Sequence, residues 1–175
     1  PIGLSEFALS RREPEYVGRS KAVRDGGINE EVLSILAQVG GKAEQTSVGS
    51  CIYANRPGDG SAREQAASCQ KVLGGFANIC QEYATKRYRS NCINWGMTPF
   101  TLPDGAEFPY EAGDWVYIPN LNSGIAAGQE TFAAKVVTKT GVQELTLCCK
   151  GLTENERQIL REGCLMNYYA AGYGK

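Results

Sequence analysis

The sequence predicts an α/β fold. A strand-like run, a glycine-rich loop and a helix-period run follow one another in the middle of the chain, and β-type runs dominate after Pro103. The composition fits a globular body, with 42% of the 175 residues in the hydrophobic class and 21% charged. A chain of this length is expected to form one domain, residues 1–175. It can bury roughly 70% of its unfolded surface and needs neither disulfides nor metal to fold.

The first 27 residues read as turn-rich, with no sustained period. From Asn29 the spacing predicts a helix. Val32, Leu33, Ile35, Leu36 and Val39 share a face, Asn29 caps the start, Glu30 and Glu31 meet the positive end, and Gly40-Gly41 stop it. Thr46 to Ala54 reads as a short buried strand, and Asn55 to Gly60 as a polar loop. Ser61-Ala62-Arg63-Glu64 then has the form of a capping box, opening a helix that runs to about Val72 before Gly74-Gly75. Phe76 to Ile79 predicts a brief strand, Gln81 to Tyr88 a polar helix, and Ile93 to Leu102 another strand-like piece. Beyond Pro103, Trp115 to Ile118, Thr131 to Thr138 and Val142 to Cys149 read as strands, with Thr140-Gly141 at a hairpin tip. The last element opens at Thr153 with Glu154 and Glu156 in its first turn, and places Leu152, Ile159, Leu160 and Gly163 on one side.

Charge and residue counts exclude several kinds of chemistry. With 18 basic and 19 acidic side chains, the chain lacks a broad electrostatic drive toward nucleic acid or an anionic membrane. It has no histidine, which removes Ser-His-Asp and Cys-His catalysis within the chain. The seven cysteines form no C-x-x-C pair, so neither a zinc ribbon nor an iron–sulfur run is read from them; they are expected as small core residues in a reducing cytoplasm. No apolar stretch approaches a membrane span, and the opening PIGLSEFALS does not read as a signal peptide. The first residue is Pro1, so a fragment or processed subunit is expected.

The segment Gly58-Asp59-Gly60-Ser61-Ala62-Arg63-Glu64-Gln65-Ala66 is where chemistry is expected. Glycines after a strand let a ligand approach the main chain, and the following helix start offers unpaired N–H groups and a positive dipole end. Arg63 adds a planar donor fork suited to a carboxylate. Ser61 sits at the mouth, where those positive partial charges favour a transient alkoxide able to remove a weakly acidic C–H proton. The same residues also fit plain helix capping with a solvated arginine. The pattern is not G-x-G-x-x-G, because Arg63 stands at the third glycine position, nor is it a Walker loop. Lys86-Arg87-Tyr88-Arg89 is a basic cluster and Asp104, Glu107 and Glu111 an acidic loop. Both are read as solvated surface. Cys148-Cys149 is read as two side chains on opposite faces of a sheet, and Tyr168-Tyr169 as core or partner packing.

GDGSAREQAASCQKVLGGFANICQEY followed by NCINWGMTPFTL resembles the carboxy-terminal swivel domain of the aconitase superfamily. The family loop runs glycine-x-glycine-serine-serine-arginine-glutamate-histidine-alanine, matched by Gly58, Gly60, Ser61, Arg63, Glu64 and Ala66. Leu73-Gly74-Gly75, Phe76-Ala77 and Gly96-Met97-Thr98-Pro99 follow in the family's order, and LTENERQILREGCLMNYY is similar to its closing helix. The resemblance implies a swivelling β/β/α domain that closes over a site carried mainly by other domains or a large subunit. It implies a 4Fe-4S cluster on that partner, not ligated by this chain, and a hydroxy di- or tricarboxylate substrate. Ser61 would be the catalytic base and Arg63 the carboxylate clamp, with Gly60 and Ala62 against the substrate. Departures are specific: the family's second serine is Ala62, its histidine is Gln65, and its phenylalanine-alanine-arginine-isoleucine-histidine strand reads Phe76-Ala77-Asn78-Ile79-Cys80. A further family arginine is expected upstream of Pro1, with Arg19 or Arg24 as substitutes. Two alternatives to a hydratase remain: a non-catalytic anion-binding or regulatory module, and an RNA binder, against which the balanced charge speaks.

Overall fold

The computed structural model describes residues 2–10 and 13–174. Six strands form one sheet: β1 (Ser50–Ala54), β2 (Gly75–Cys80), β3 (Thr98–Thr101), β4 (Trp115–Tyr117), β5 (Thr131–Thr138) and β6 (Gly141–Cys148). Their order across the sheet is β1-β2-β3-β6-β5-β4. The first three run parallel, joined by the crossover helices α4 (Arg63–Val72) and α5 (Lys86–Asn94). β3 then meets β6 antiparallel through Thr101 and Cys148, and β4, β5 and β6 complete an antiparallel half. The α/β expectation is borne out, with a β section added as the sequence indicated.

The main core lies where the two halves of the sheet join. Phe100 and Phe132 are fully buried there with ring centroids 6.0 Å apart in an edge-on arrangement, surrounded by Ile79, Val136 and Leu147. A second cluster of Ala67, Tyr88, Cys92 and Met97 fixes α4 and α5 against each other. A third joins Ile93 to Ile159 and Tyr168, on α7 (Glu154–Glu162) and α8 (Leu165–Ala170).

Two expected helices have the predicted ends. In α3 (Glu30–Val39), the Asn29 side chain accepts from the Val32 amide, Val32, Leu36 and Val39 are buried, and Gly40 is left-handed. In α7, Thr153 and Glu156 form a reciprocal capping box. Gly163 ends α7 with φ +88° and does not extend its apolar face.

Elsewhere the elements differ. The first 27 residues hold two helices, α1 (Ile2–Ser10) and α2 (Pro14–Gly26), where turns were expected. Pro14 lies in the first turn, where its missing N–H costs nothing, so the proline starts a helix. Tertiary contacts hold both: α1 packs on α4, Lys21 pairs with Glu6 at 2.6 Å, and buried Ser20 donates to the Leu73 carbonyl at 2.7 Å. β1 begins at Ser50, four residues later than expected, and as an edge strand it is half exposed. Lys86, not Gln81, starts α5, because the Thr85 hydroxyl caps it by accepting from the Tyr88 amide. Ile93 and Asn94 belong to α5, leaving β3 only Thr98–Thr101. The short helices α6 (Leu121–Ala126) and α8 were not anticipated, each being too short to show a period.

Gly96 is the tightest joint of the fold. Its φ is +68°, and a Cβ there would lie 1.8 Å from the Gly163 carbonyl oxygen. Gly96→Ala is therefore expected to destabilise the chain by roughly 3 kcal/mol in urea unfolding. A change below about 0.5 kcal/mol, the range of a surface substitution, contradicts this joint.

Candidate functional site

The carboxyl ends of β1, β2 and β3 open onto one edge of the sheet, where ligands bind in open α/β sheets. The loops that follow them are stitched together by backbone bonds. The Gln81 and Glu82 amides donate to the Asn55 carbonyl, Ala84 to Pro57, and Leu102 to Cys80. An ion pair, Arg56 with Glu82 at 2.7 Å, spans the first two loops at the surface.

Gly58 is the fixed point of this edge. Its φ of +98° suits glycine, and a Cβ would lie 2.5 Å from the Tyr88 side chain. Its carbonyl accepts twice, from Arg63 Nε at 3.0 Å and from the Thr85 hydroxyl at 3.0 Å. The Arg63 guanidinium thus spends its inner nitrogen on the loop, while its two Nη groups have no hydrogen-bond partner among the described residues. The amides of Arg63, Glu64 and Gln65 are likewise unpaired, the first helical bond being Ala66 N–H to the Ala62 carbonyl at 2.9 Å. Gly60, Ser61 and Ala62 are exposed around them, and nothing lies within 4 Å of where a Gly60 Cβ would be.

The expected capping box does not form. Ala62 occupies the N-cap with no side-chain bond, and the Glu64 carboxylate instead accepts from Trp95 Nε1. Trp95 packs on the second core cluster and its indole holds the Glu64 carboxylate; the Ser61 hydroxyl has no hydrogen-bond partner among the described residues. Ser61 and Arg63 are therefore brought to one helix start. Two hollows lie elsewhere, one beside Gln129, Cys149 and Arg157 and one beside Val23, Val32 and Trp115. The surface around Ser61 is open.

Beneath the loop runs a neutral, fully bonded polar chain. Gln70 Nε2 donates to Asn78 Oδ1 at 2.6 Å, and Asn78 Nδ2 donates to the Tyr88 hydroxyl at 3.2 Å and faces Cys92 Sγ at 3.5 Å. Burial first, then the neighbouring Cys92, pushes the Tyr88 phenol up. Burial likewise raises the thiols, Cys92 to about 11 and Cys80 to about 12.

Other candidates do not join the site. Arg24 donates to the Val72 carbonyl, at the far end of α4, and Arg19 pairs with Glu15 at 2.7 Å, so the structure does not bring either to the Gly58 loop; Pro1 lies outside the described residues. In the basic cluster Tyr88 is buried and Arg89 donates to the Lys150 carbonyl at 2.7 Å, so only Lys86 and Arg87 are free surface. Asp104, Glu107 and Glu111 are exposed. Cys148 and Cys149 are both buried, and Tyr168 is buried while Tyr169 is exposed. Among the described residues no group of three His, Cys, Asp or Glu is arranged to hold a metal ion, so these residues do not fit as ligands of a cluster. Nor is any helix among them long and apolar enough to cross a membrane. Thr85, Tyr88 and Trp95 were missed as site residues. A Thr before a charged helical run signals a cap, but nothing local tells which carbonyl its hydroxyl reaches.

No model of a known protein family matches the chain. It is 34% identical over 111 residues to the 3-isopropylmalate dehydratase small subunit of Metallosphaera sedula, covering 63% of this chain and 58% of that one. It is 28% identical over 131 residues to aconitate hydratase A of Bradyrhizobium diazoefficiens, covering 73% of this chain and 14% of that one. The chain is related in sequence to the aconitase superfamily. It spans just over half the length of the small-subunit relative and about a seventh of the aconitate hydratase. A crystal structure of 3-isopropylmalate dehydratase from Methanocaldococcus jannaschii, 24% identical and covering 74% of this chain and 68% of that one, superposes with a TM-score of 0.47, too loosely to bear on function.

The buried thiols give a test of the floor under the loop. Their folded values lie above the ordinary value of 9, so the folded chain holds protons that the unfolded chain releases. Their contribution is present below about pH 9 and lost as pH rises toward 11–12. Iodoacetamide at mildly alkaline pH is expected to leave Cys69, Cys80, Cys92, Cys148 and Cys149 unmodified until urea unfolds the chain, as read by peptide mapping. Prompt labelling of Cys92 in the folded chain contradicts the sealed floor.

Proposed function

We propose that this chain is the swivel-type domain of an aconitase-family hydro-lyase, dehydrating and hydrating a hydroxy di- or tricarboxylic acid. On this reading residues 1–175 act as one body that covers a site built mainly by other domains of the same protein or by a large subunit. A 4Fe-4S cluster belongs to that partner, where it acts as a Lewis acid on the substrate, and no step below runs through it.

The observation that supports the reading most is a juxtaposition. An exposed, unengaged Ser61 hydroxyl sits beside three unpaired helix-start amides and the free Nη groups of Arg63, at the carboxyl ends of parallel strands. A substrate carboxylate pairs with Arg63 through two parallel N–H bonds, and the helix dipole adds to that attraction. Carboxylate capture sets the neighbouring carbon at Ser61, whose oxygen takes the α-proton while the hydroxyl group leaves from the next carbon. The same positive partial charges lower the cost of the serine alkoxide. Gly60 and Ala62 carry no reaching side chain, so the acid can lie against the main chain.

A second reading, a non-catalytic anion-binding or regulatory module, is favoured by Ala62 and Gln65, which remove two of the family's side-chain donors. Turnover separates the two. With the cluster-bearing partner restored, Ser61→Ala is expected to lower dehydration by a factor of roughly 10² or more with little change in KM, and Arg63→Ala to raise KM and lower kcat together. Equal turnover by wild type and Ser61→Ala removes Ser61 from the mechanism. Binding of the acid without turnover by the complete, cluster-loaded protein supports the module.

A further inference from the structure

Thr85 lies 22 residues beyond Arg63 in the chain, in the loop after β2, and yet both side chains end on one atom. The Gly58 carbonyl oxygen has two lone pairs, and the two donors take both, each at 3.0 Å. The same Thr85 hydroxyl oxygen accepts from the Tyr88 amide at 3.2 Å, and the Tyr88 ring is the surface on which Gly58 is pressed. A single hydroxyl thereby ties the start of α5 to the loop that aims Arg63. A threonine kept only as a helix cap would need the amide alone, and its proton could go to water.

We propose that Thr85 is the positioning residue of the anion site: it orients the Gly58 carbonyl so that Arg63 Nε is held inward and the Nη fork is presented outward to a carboxylate. The inference rests on the anion-site reading above. Without the hydroxyl, the carbonyl keeps one donor and its peptide plane turns freely about the other. Arg63 then samples rotamers in which the fork no longer faces the helix-start amides, and a bidentate grip needs both. Tyr88 cannot compensate, because Gly58 lies against the Cβ end of its side chain, while its hydroxyl, at the far end of the ring, accepts from Asn78.

The experiment compares the wild-type chain with Thr85→Val, which keeps the shape, and Thr85→Ser, which keeps the hydroxyl. Two readouts are taken: solvent exchange of the Arg63 Nε proton by NMR, and affinity for tricarballylate by calorimetry. Thr85→Val is expected to speed the exchange and weaken the affinity, each roughly tenfold, while Thr85→Ser stays within about twofold of wild type on both. A merely structural role lowers the unfolding midpoint without moving the exchange of that one proton in the folded chain. Should Thr85→Val fold poorly, Thr85→Ala is read the same way. Exchange in the valine variant equal to wild type overturns the inference, whether or not the acid binds. Arg63→Ala separates the underlying reading: undiminished tricarballylate binding by that variant removes Arg63 as the clamp, while loss of binding there with an unchanged valine variant removes only Thr85.

Discussion

One carbonyl oxygen organises the loop edge at the carboxyl ends of β1 and β2. Gly58 presents it in a conformation that a side chain would strain, pressed on Tyr88, and two donors from different loops converge on it. Arg63 and Thr85 each satisfy a fixed acceptor, which holds the loop without any charge pair inside it. The first turn of α4 is left with open amides, and Arg63 with an open fork, because the groups that would otherwise quench them are held elsewhere. Trp95 holds Glu64, and no side chain caps the helix at Ala62.

The surroundings are neutral where the aconitase-family pattern is charged. Gln65, Asn78 and Cys80 stand in place of histidine, arginine and histidine, and the latter two are buried. Asn78 is bonded on both ends of its amide, so the floor is stable without a counter-ion and a buried charge is avoided. The groups at the loop that favour a negative charge are the helix start and Arg63, since Arg56 is paired with Glu82. On the proposed function, an anion at this loop would be held by geometry more than by net charge, in keeping with a chain whose basic and acidic residues nearly balance.

Local signals made part of this legible. The Asn29 cap, the helix start at Thr153 and the Thr131–Thr138 strand are each written in contiguous residues, and the structure has them where the pattern put them. What failed was non-local. The terminal helices α1 and α2 are held by α4 and by the Ser20–Leu73 bond, contacts that no window of sequence contains. Ser61-x-x-Glu64 has the letters of a capping box, but the indole of Trp95, 31 positions away, competes for the carboxylate and wins. Thr85 reads as a cap and nothing more until its proton is followed to Gly58.

On the proposed function, the start of α4, with Arg63 held through Gly58, receives a carboxylate beside Ser61. A crystal structure of the chain soaked with tricarballylate tests it most directly. The account predicts a carboxylate at roughly 2.7–3.1 Å from the Arg63 Nη groups and from at least one amide of Arg63 to Gln65, with Ser61 Oγ facing the adjacent carbon. A ligand seated instead in the hollow beside Gln129 and Arg157, with the Gly58 edge empty at saturating concentration, contradicts it.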